Sequence, residues 1–138
     1  MVLVTSLMRA QQIVLSRVDT VLRPLDLTFA RYELLMILAF SRTGSLPLKK
    51  LGNRLQVHPT SVTSAVDRLE TQALVRRQPH PSDRRTTLAE ITNAGRALAA
   101  EATQVLNEKV FDVPLVSRAG AAALIEALTE LRQLAGDF

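Results

Sequence analysis

Between Val4 and Leu25, apolar side chains recur at intervals of three and four residues, with Gln11 as the one polar interruption. The recurring apolar positions are Val4, Leu7, Val14, Val18, Val21 and Leu25. This spacing predicts an amphipathic helix with one apolar face. Pro24 limits how far the helix continues, because proline inside a helix removes a hydrogen-bond donor. A second helix, FARYELLMILAFS, is predicted between Thr28, a suitable N-cap, and Gly44.

The C-terminal third has the same helical spacing. It predicts one helix from Thr92 or Asn93 to about Val110 and another from about Arg118 to Ala135. One face of the last helix is apolar, with Leu124, Leu128, Leu131 and Ala135. Two interpretations remain open: the terminal helices cover the core of a monomer, or they pack against the same helices of a second chain in a two-fold dimer.

Between the ends, residues 48–74 divide into two short helices joined near Gln56 to His58, which is the spacing of a helix-turn-helix. Pro59 suits the first position of the second helix. Inward-facing valines and Leu69 leave small hydroxyl side chains outward, where they can bond DNA phosphates or base edges: Thr60, Ser61, Thr63 and Ser64, with Arg68 one turn further on. Serine and threonine are also ordinary helix-start residues, so this cluster alone is weak support for a site.

The stretch after the helix-turn-helix predicts a β-hairpin with a charged tip. Apolar pairs flank a polar segment rich in proline, and the hairpin carries Arg76 and Arg77 on its first side and Arg84 and Arg85 just past its tip. Arginines on a protruding loop can enter the minor groove of DNA. Asp83 either pairs with Arg85 or caps the loop backbone, holding the tip in one shape; the alternative is an incidental turn residue.

Charge and composition narrow the function. Residues 47–96 hold nine basic and four acidic residues, a net charge of +5 that exceeds the +4 of the whole chain. Such a segment favours a polyanionic partner, although a solvated basic surface has the same charge. The chain has no cysteine and two isolated histidines, so no metal site, cofactor or catalytic grouping is predicted. Without a long apolar span or a leader peptide, we expect a soluble cytoplasmic protein with no membrane partner.

The stretch from Leu46 to Gly95 resembles the MarR (multiple antibiotic resistance regulator) family. Three motifs in order carry the resemblance: VHPTSVTSAVDRLE, Asp83-Arg84-Arg85 and Ile91-Thr92-Asn93-Ala94-Gly95. The resemblance implies a mainly α fold with a small β-hairpin wing, in one domain spanning 1–138. Residues 1–26 and 92–138 would form dimerisation helices, and residues 28–91 a winged helix-turn-helix lobe.

The resemblance also implies a function. The expected protein is a homodimeric transcription regulator that binds a pseudo-palindromic operator. Its two recognition helices would lie about 34 Å apart. It would act as a repressor that a small aromatic or carboxylate ligand releases from DNA. Phe29, Tyr32, Leu35 and Met36 are candidates for lining a ligand pocket, or else are plain core residues. The alternative function is a winged-helix module for protein or RNA contacts without operator specificity.

Three positions depart from the family pattern. Gln56 stands where glycine commonly makes the turn, His58 replaces the usual serine or asparagine cap, and Ala73 stands where glycine often ends the recognition helix. A side chain other than glycine in the left-handed region costs about 1 kcal/mol. We therefore expect a looser or differently shaped turn with the fold unchanged.

Overall fold

The computed structural model describes all 138 residues, as six helices and a small sheet. The elements are α1 (Val2–Leu22), α2 (Phe29–Phe40), β1 (Ser45–Pro47), α3 (Leu48–Leu55), α4 (Pro59–Thr71), β2 (Val75–Pro79), β3 (Thr87–Ile91), α5 (Asn93–Leu106) and α6 (Arg118–Leu134). A 3₁₀ turn at Arg23–Leu25 follows α1, and a π-helical turn at Asn107–Phe111 extends α5. The predicted fold class, mainly helical with a β-hairpin wing, is confirmed.

The junction between α1 and α2 is fixed by local hydrogen bonds. Regular helix ends at Leu22 and gives way to a 3₁₀ turn at Arg23–Leu25 that contains Pro24, the residue expected to limit the helix. Asp26 follows in the left-handed region with φ 51°. Thr28 is the N-cap of α2, as predicted, and accepts a hydrogen bond from the Arg31 backbone. The Asp19 carboxylate accepts another from Phe29 N at 2.7 Å, which ties α1 to the start of α2.

Helices α3 and α4 form the helix-turn-helix. The turn between them passes through Gln56, which has φ 52°. The His58 ring caps α4 by accepting a hydrogen bond from Thr60 N at 3.2 Å. Gly52 lets the helices approach, since a Cβ there would lie 3.3 Å from Val62 Cγ2. The turn therefore has a left-handed residue other than glycine at its centre.

The sheet is antiparallel with β3 between β1 and β2. Strand β2 pairs with β3 from Val75 opposite Ile91 to Pro79 opposite Thr87, which is the predicted hairpin. Strand β1, which the sequence pattern did not predict, pairs Ser45 with Glu90 and Pro47 with Leu88. Strand β1 thus connects the base of the β2–β3 hairpin to the end of α2 and the start of α3.

A single cluster of 19 buried side chains forms the core, and all but Tyr32 are aliphatic. It joins the ends of the chain to the middle, since α1 contributes Val18 and Leu22 while α5 contributes Ala99, Ala102 and Leu106. The hydroxyl groups of Tyr32 and Thr103 lie 2.8 Å apart and link α2 to α5. Among the helices, none combines the length and apolar character needed to cross a membrane.

Two helical segments present apolar side chains to solvent. No residue of α6 is buried, and its predicted apolar face is open at Leu124, Leu128 and Leu131, which are 49%, 39% and 50% exposed. The first turns of α1 are similarly open from Val2 to Met8. Burying such faces is favourable at roughly 25 cal/mol per Å² of apolar area, so the single chain leaves a large hydrophobic free energy unrealised.

Candidate nucleic-acid interface

The outer face of α4 carries hydroxyl side chains beside a buried inner face. Val62, Val66 and Leu69 are buried, and the four predicted hydroxyl residues are all exposed: Thr60, Ser61, Thr63 and Ser64. The Thr63 hydroxyl donates to Pro59 O at 3.1 Å, whereas the Ser61 and Ser64 hydroxyls have no partner within the chain. Pro59 itself is exposed at the first position of the helix.

The backbone at the start of α4 offers little to a phosphate. Pro59 has no N–H group, His58 Nδ1 accepts from Thr60 N, and His58 O accepts from Ser61 N at 2.9 Å. The first turn is thus satisfied by its own cap. Contacts from this end of α4 would come from side-chain hydroxyls.

The wing tip is held by Asp83. Its Oδ1 accepts a hydrogen bond from Arg85 N at 2.9 Å, and its Oδ2 accepts from the Thr86 hydroxyl at 2.8 Å. These two bonds, the backbone bond first, lower the pKa of Asp83 below its ordinary range. Of the two arrangements considered from the sequence, the structure has the backbone cap and not an ion pair with the Arg85 side chain.

The guanidinium groups of Arg84 and Arg85 are exposed at this tip. Neither takes part in an ion pair or in a side-chain hydrogen bond. The tip therefore presents two cations without an acidic partner, on a loop whose backbone is held in shape by Asp83.

Arg76 and Arg77 differ from the wing-tip arginines because both pair with acids of the same chain. Arg76 Nη2 lies 2.9 Å from Glu90 Oε1, directly across the hairpin. Arg77 Nη1 lies 2.9 Å from Glu70 Oε1, and its Nη2 contacts Asp67, so it joins β2 to α4. The bond from the Arg77 backbone to Glu70, with its side-chain bond, lowers the pKa of Glu70, and the Arg76 side chain lowers the pKa of Glu90.

Arg68 also has an acidic partner. Its Nη2 lies 3.1 Å from Oδ2 of Asp26, a residue in the junction between α1 and α2. The acids that hold Arg68, Arg76 and Arg77 were not identified from the sequence. Only the hairpin register would have revealed one of them, because it places Arg76 opposite Glu90.

A cavity of about 300 Å³ opens beside α2 and contains three of the four predicted pocket residues, Phe29, Tyr32 and Met36. Leu35 has no exposed surface and lies in the core instead. The other lining residues are Glu33, Ile37, Arg54, Leu55 and Phe111. Partial burial raises the pKa of Glu33. The cavity thus combines apolar and aromatic walls with one carboxyl group and one guanidinium group.

A helix-turn-helix with exposed hydroxyls on its second helix, followed by a hairpin with two unpaired arginines at its tip, defines the winged helix-turn-helix class of DNA-binding proteins. The comparisons with known proteins agree with this class. The family model described as "MarR family" matches residues 27–87.

Three relatives place the chain more closely. The solved structure of Sco5413, a MarR family transcriptional regulator from Streptomyces coelicolor, is 47% identical, covers 98% of this chain and 94% of that one, and has a TM-score of 0.89. Sco3205, a regulator of the same family and organism solved in complex with DNA, is 25% identical with a TM-score of 0.80, over 96% and 84% of the two chains. The HTH-type regulator YhbI of Bacillus subtilis is 36% identical over 84 residues, which are 61% of this chain and 53% of YhbI.

The chain belongs to the MarR family, since its resemblance to Sco5413 extends over nearly the whole length of both chains. Sco5413 and Sco3205, members of the same family, are both transcriptional regulators. The matched region spans only about half the length of the curated relative YhbI.

Proposed function

We propose that this regulator binds a pseudo-palindromic DNA operator as a homodimer and represses transcription until a small ligand releases it. One observation carries the DNA-binding part of the proposal: the exposed hydroxyl face of α4 stands in the same lobe as a wing whose tip cations have no acidic partner. Sco3205, which has the same fold, was solved in complex with DNA, and this supports the assignment of the lobe.

The residues divide into three groups by their expected contacts. The α4 hydroxyls and Pro59 would face the major groove, where short side chains allow close approach to base edges. Arg84 and Arg85 would contact the minor groove or its phosphates. Arg76 and Arg77, predicted as DNA contacts, are paired with acidic side chains. They would contact phosphate only through guanidinium N–H groups that these ion pairs do not use.

The dimer part of the proposal rests on the open apolar faces of α1 and α6. Both come from the ends of the chain, and a two-fold axis would let each face pack on its counterpart in the second copy. The proposal keeps the division expected from the sequence, in which 1–26 and 92–138 form the dimer lobe and 28–91 the DNA-binding lobe. Two DNA-binding lobes about one helical turn apart then read two half-sites.

The ligand part of the proposal rests on the cavity beside α2. Its volume of about 300 Å³ lies at the lower end of the range for small-molecule sites, which suits a single aromatic ring. Arg54 at its edge could pair with a carboxylate. A small aromatic carboxylate is therefore the proposed ligand class, and the cytoplasm, where bacterial DNA is found, is the proposed location.

Selection of bound sequences from a random pool of DNA duplexes tests the function. The expected result is a palindromic consensus with half-site centres about 10 base pairs apart, bound with an affinity that falls steeply as salt rises. A pool with no enriched sequence, or binding that does not depend on salt, would overturn the proposal. The same experiment reports symmetry, and hence whether the protein binds as a dimer.

A further inference from the structure

The C-terminal half of α4 is tied to the junction between α1 and α2 by a group of charge-assisted hydrogen bonds. Arg68 Nη2 donates to both carboxylate oxygens of Asp26, at 3.2 and 3.1 Å. One turn further on, Gln72 Nε2 donates to the Asp26 backbone oxygen and to its Oδ2, both at 2.9 Å. Asp26 thus accepts bonds from two side chains at the end of the recognition helix, 42 and 46 residues away.

Arg31 of α2 closes this group into a network. Its Nη1 donates to the Asp26 backbone oxygen at 3.0 Å and to Gln72 Oε1 at 3.1 Å. Its Nε donates to the hydroxyl of Thr28, the N-cap of α2, at 3.2 Å. The network therefore joins three elements: the end of α1, the start of α2 and the C-terminal end of α4.

The backbone at Asp26 supports a fixed geometry. Its φ of 51° lies in the left-handed region, which only glycine, asparagine and aspartate occupy at small cost. The residue follows α1 directly after a 3₁₀ turn, and α1 carries part of the open apolar surface proposed to form the dimer. Asp26 therefore stands between the proposed dimer surface and the proposed DNA-reading helix.

We propose that Asp26 is a positioning residue that sets the orientation of α4, and that Arg68 acts through Asp26 instead of binding a phosphate. The proposal rests on the DNA-binding function proposed for this lobe. Ionised, two-oxygen contacts of this kind fix direction as well as distance. Because a dimer must place two copies of α4 into successive major grooves, a small change in the direction of α4 would weaken operator binding.

The substitution Asp26→Asn separates this role from phosphate binding by the sign of its effect. Asparagine keeps the shape and tolerates the left-handed conformation, but it removes the charge that holds Arg68. If Asp26 positions α4, operator affinity falls by about three- to tenfold, the scale of one net hydrogen bond in an exposed pair. If Arg68 binds phosphate, the same substitution frees a cation and removes a repelling charge, so operator affinity rises.

Asp112→Asn is the matched control. It removes the same charge from an exposed side chain that makes no side-chain hydrogen bond, and we expect unchanged operator affinity. A positioning role also predicts that Asp26→Asn does not lower the affinity for unrelated duplex DNA, because non-specific binding depends on charge, which the substitution makes more positive, and not on the direction of a helix. Partial unfolding would lower both affinities together.

Arg68→Met and the double variant complete the test. A positioning role predicts that Arg68→Met weakens operator binding without changing the salt slope, and that the double variant is no weaker than the worse single variant. Removal of a phosphate-binding cation would instead reduce the slope by about 0.9 per site. Tighter or unchanged binding by Asp26→Asn overturns this inference, whereas a parent protein that prefers no duplex overturns the proposed function itself.

Discussion

At the scale of single residues, each acidic side chain within residues 47–96 contacts a basic side chain or caps the backbone. Asp67 and Glu70 contact Arg77, Glu90 contacts Arg76, and Asp83 caps the wing tip. All four acids within residues 47–96 are therefore engaged. The cations of this segment that have no acidic partner and stand in the helix-turn-helix or at the wing tip are Lys49, Lys50, Arg54, Arg84 and Arg85.

Arg85→Ala tests the wing. The substitution removes an unpaired cation from an exposed loop while leaving the Asp83 bond to the backbone of residue 85 in place. We expect operator affinity to fall and the salt slope to become shallower by about 0.9 for each phosphate that the variant no longer neutralises, with the dimer intact. Fluorescence anisotropy at several salt concentrations measures both quantities.

Arg118→Ala is the control for that experiment, since it removes the same charge from the first turn of α6. Its affinity and salt slope should match those of the parent protein. An Arg85→Ala variant indistinguishable from Arg118→Ala would remove the wing tip from the mechanism.

The Asp83 cap predicts a pH dependence of the wing. Folding lowers the pKa of this carboxyl below its ordinary value of 3.8, so the ionised cap stabilises the folded loop. The full stabilisation is present above 3.8 and is lost as the pH falls through the lower pKa of the folded loop. We expect the amide signals of Arg85 and Thr86 to titrate in NMR spectra with a midpoint below 3.8. A midpoint at or above that value contradicts the cap, and Asp83→Ala should abolish the transition.

The left-handed backbone of Ala73 indicates that glycine at this position would stabilise the protein. Its φ of 59° lies in the left-handed region, which disfavours a Cβ. Ala73→Gly should raise the free energy of unfolding by about 0.5–1 kcal/mol because it removes this strain. Ala97→Gly, the same change in an exposed helical position of α5, should lower it by about 1 kcal/mol. Urea unfolding of both variants measures the difference, and a change of the same sign in both would show that Ala73 is not strained.

Residue types predicted local contacts better than distant ones. The Asp83 cap spans two residues and the Thr28 cap three, so turn and helix-start chemistry was enough to anticipate them. The partners of Arg68 and Arg77 lie 42 and 10 residues away, and the spacing of charges along a chain does not determine which of them meet. Three arginines considered as DNA contacts therefore turned out to have acidic partners within the fold.

At the scale of elements, the strongly periodic segments were predicted well and the shortest element was not. The helices start and end within a few residues of their predicted bounds, because amphipathic spacing and caps specify both. Strand β1 has three residues and no alternating pattern, and its hydrogen-bonding partner is β3, which follows much later in the chain. Only the tertiary fold determines such a strand.

Gly95, at the start of α5, packs closely against the segment that follows α4. Replacing it with alanine is therefore expected to destabilise the protein, although alanine has the higher helix propensity. A Cβ on Gly95 would lie 2.2 Å from Leu74 O and 2.8 Å from Ile91 Cγ1. Leu74 O cannot move freely, because it accepts a hydrogen bond from Thr92 N at 3.0 Å. Gly95→Ala should therefore lower the free energy of unfolding by about 1–3 kcal/mol, although alanine favours helix.

Gly120→Ala provides the comparison in another first helical turn. There the nearest atom to an added Cβ is a side-chain atom, Ser117 Oγ, at 3.2 Å, and no backbone atom is as close as Leu74 O is to Gly95, so we expect little change in stability. Thermal unfolding of both variants separates the cases. A Gly95→Ala protein as stable as the parent would mean that α5 is free to shift away from the hairpin.

At the scale of the whole molecule, two polar contacts link the terminal segments to the two ends of the recognition helix. Asp26 holds the end of α4, and Asp137, just beyond α6, contacts Gln56 in the turn between α3 and α4. Arg132 of α6 pairs with Asp137, and its guanidinium lies 4.6 Å from the ring centre of Phe138. Movements of the terminal helices would therefore reach the recognition helix from both of its ends.

The open apolar face of α6 allows a direct test of the proposed dimer. Leu128 is 39% exposed and lies on the face formed with Leu124 and Leu131. Leu128→Asp would place a charge in a buried interface, at a cost of several kcal/mol, so we expect monomers in analytical ultracentrifugation at concentrations where the parent protein is dimeric. Glu126→Gln, a substitution on the opposite side of α6, should remain dimeric.

Folding of the Leu128→Asp chain can be separated from its assembly. Since no α6 residue is buried within its own chain, the variant should still fold, and circular dichroism can verify this. A folded variant that remains dimeric would mean that the two chains meet through another surface. The spacing of the two α4 helices on DNA would then need a different explanation, because that spacing depends on which surfaces the two-fold axis brings together.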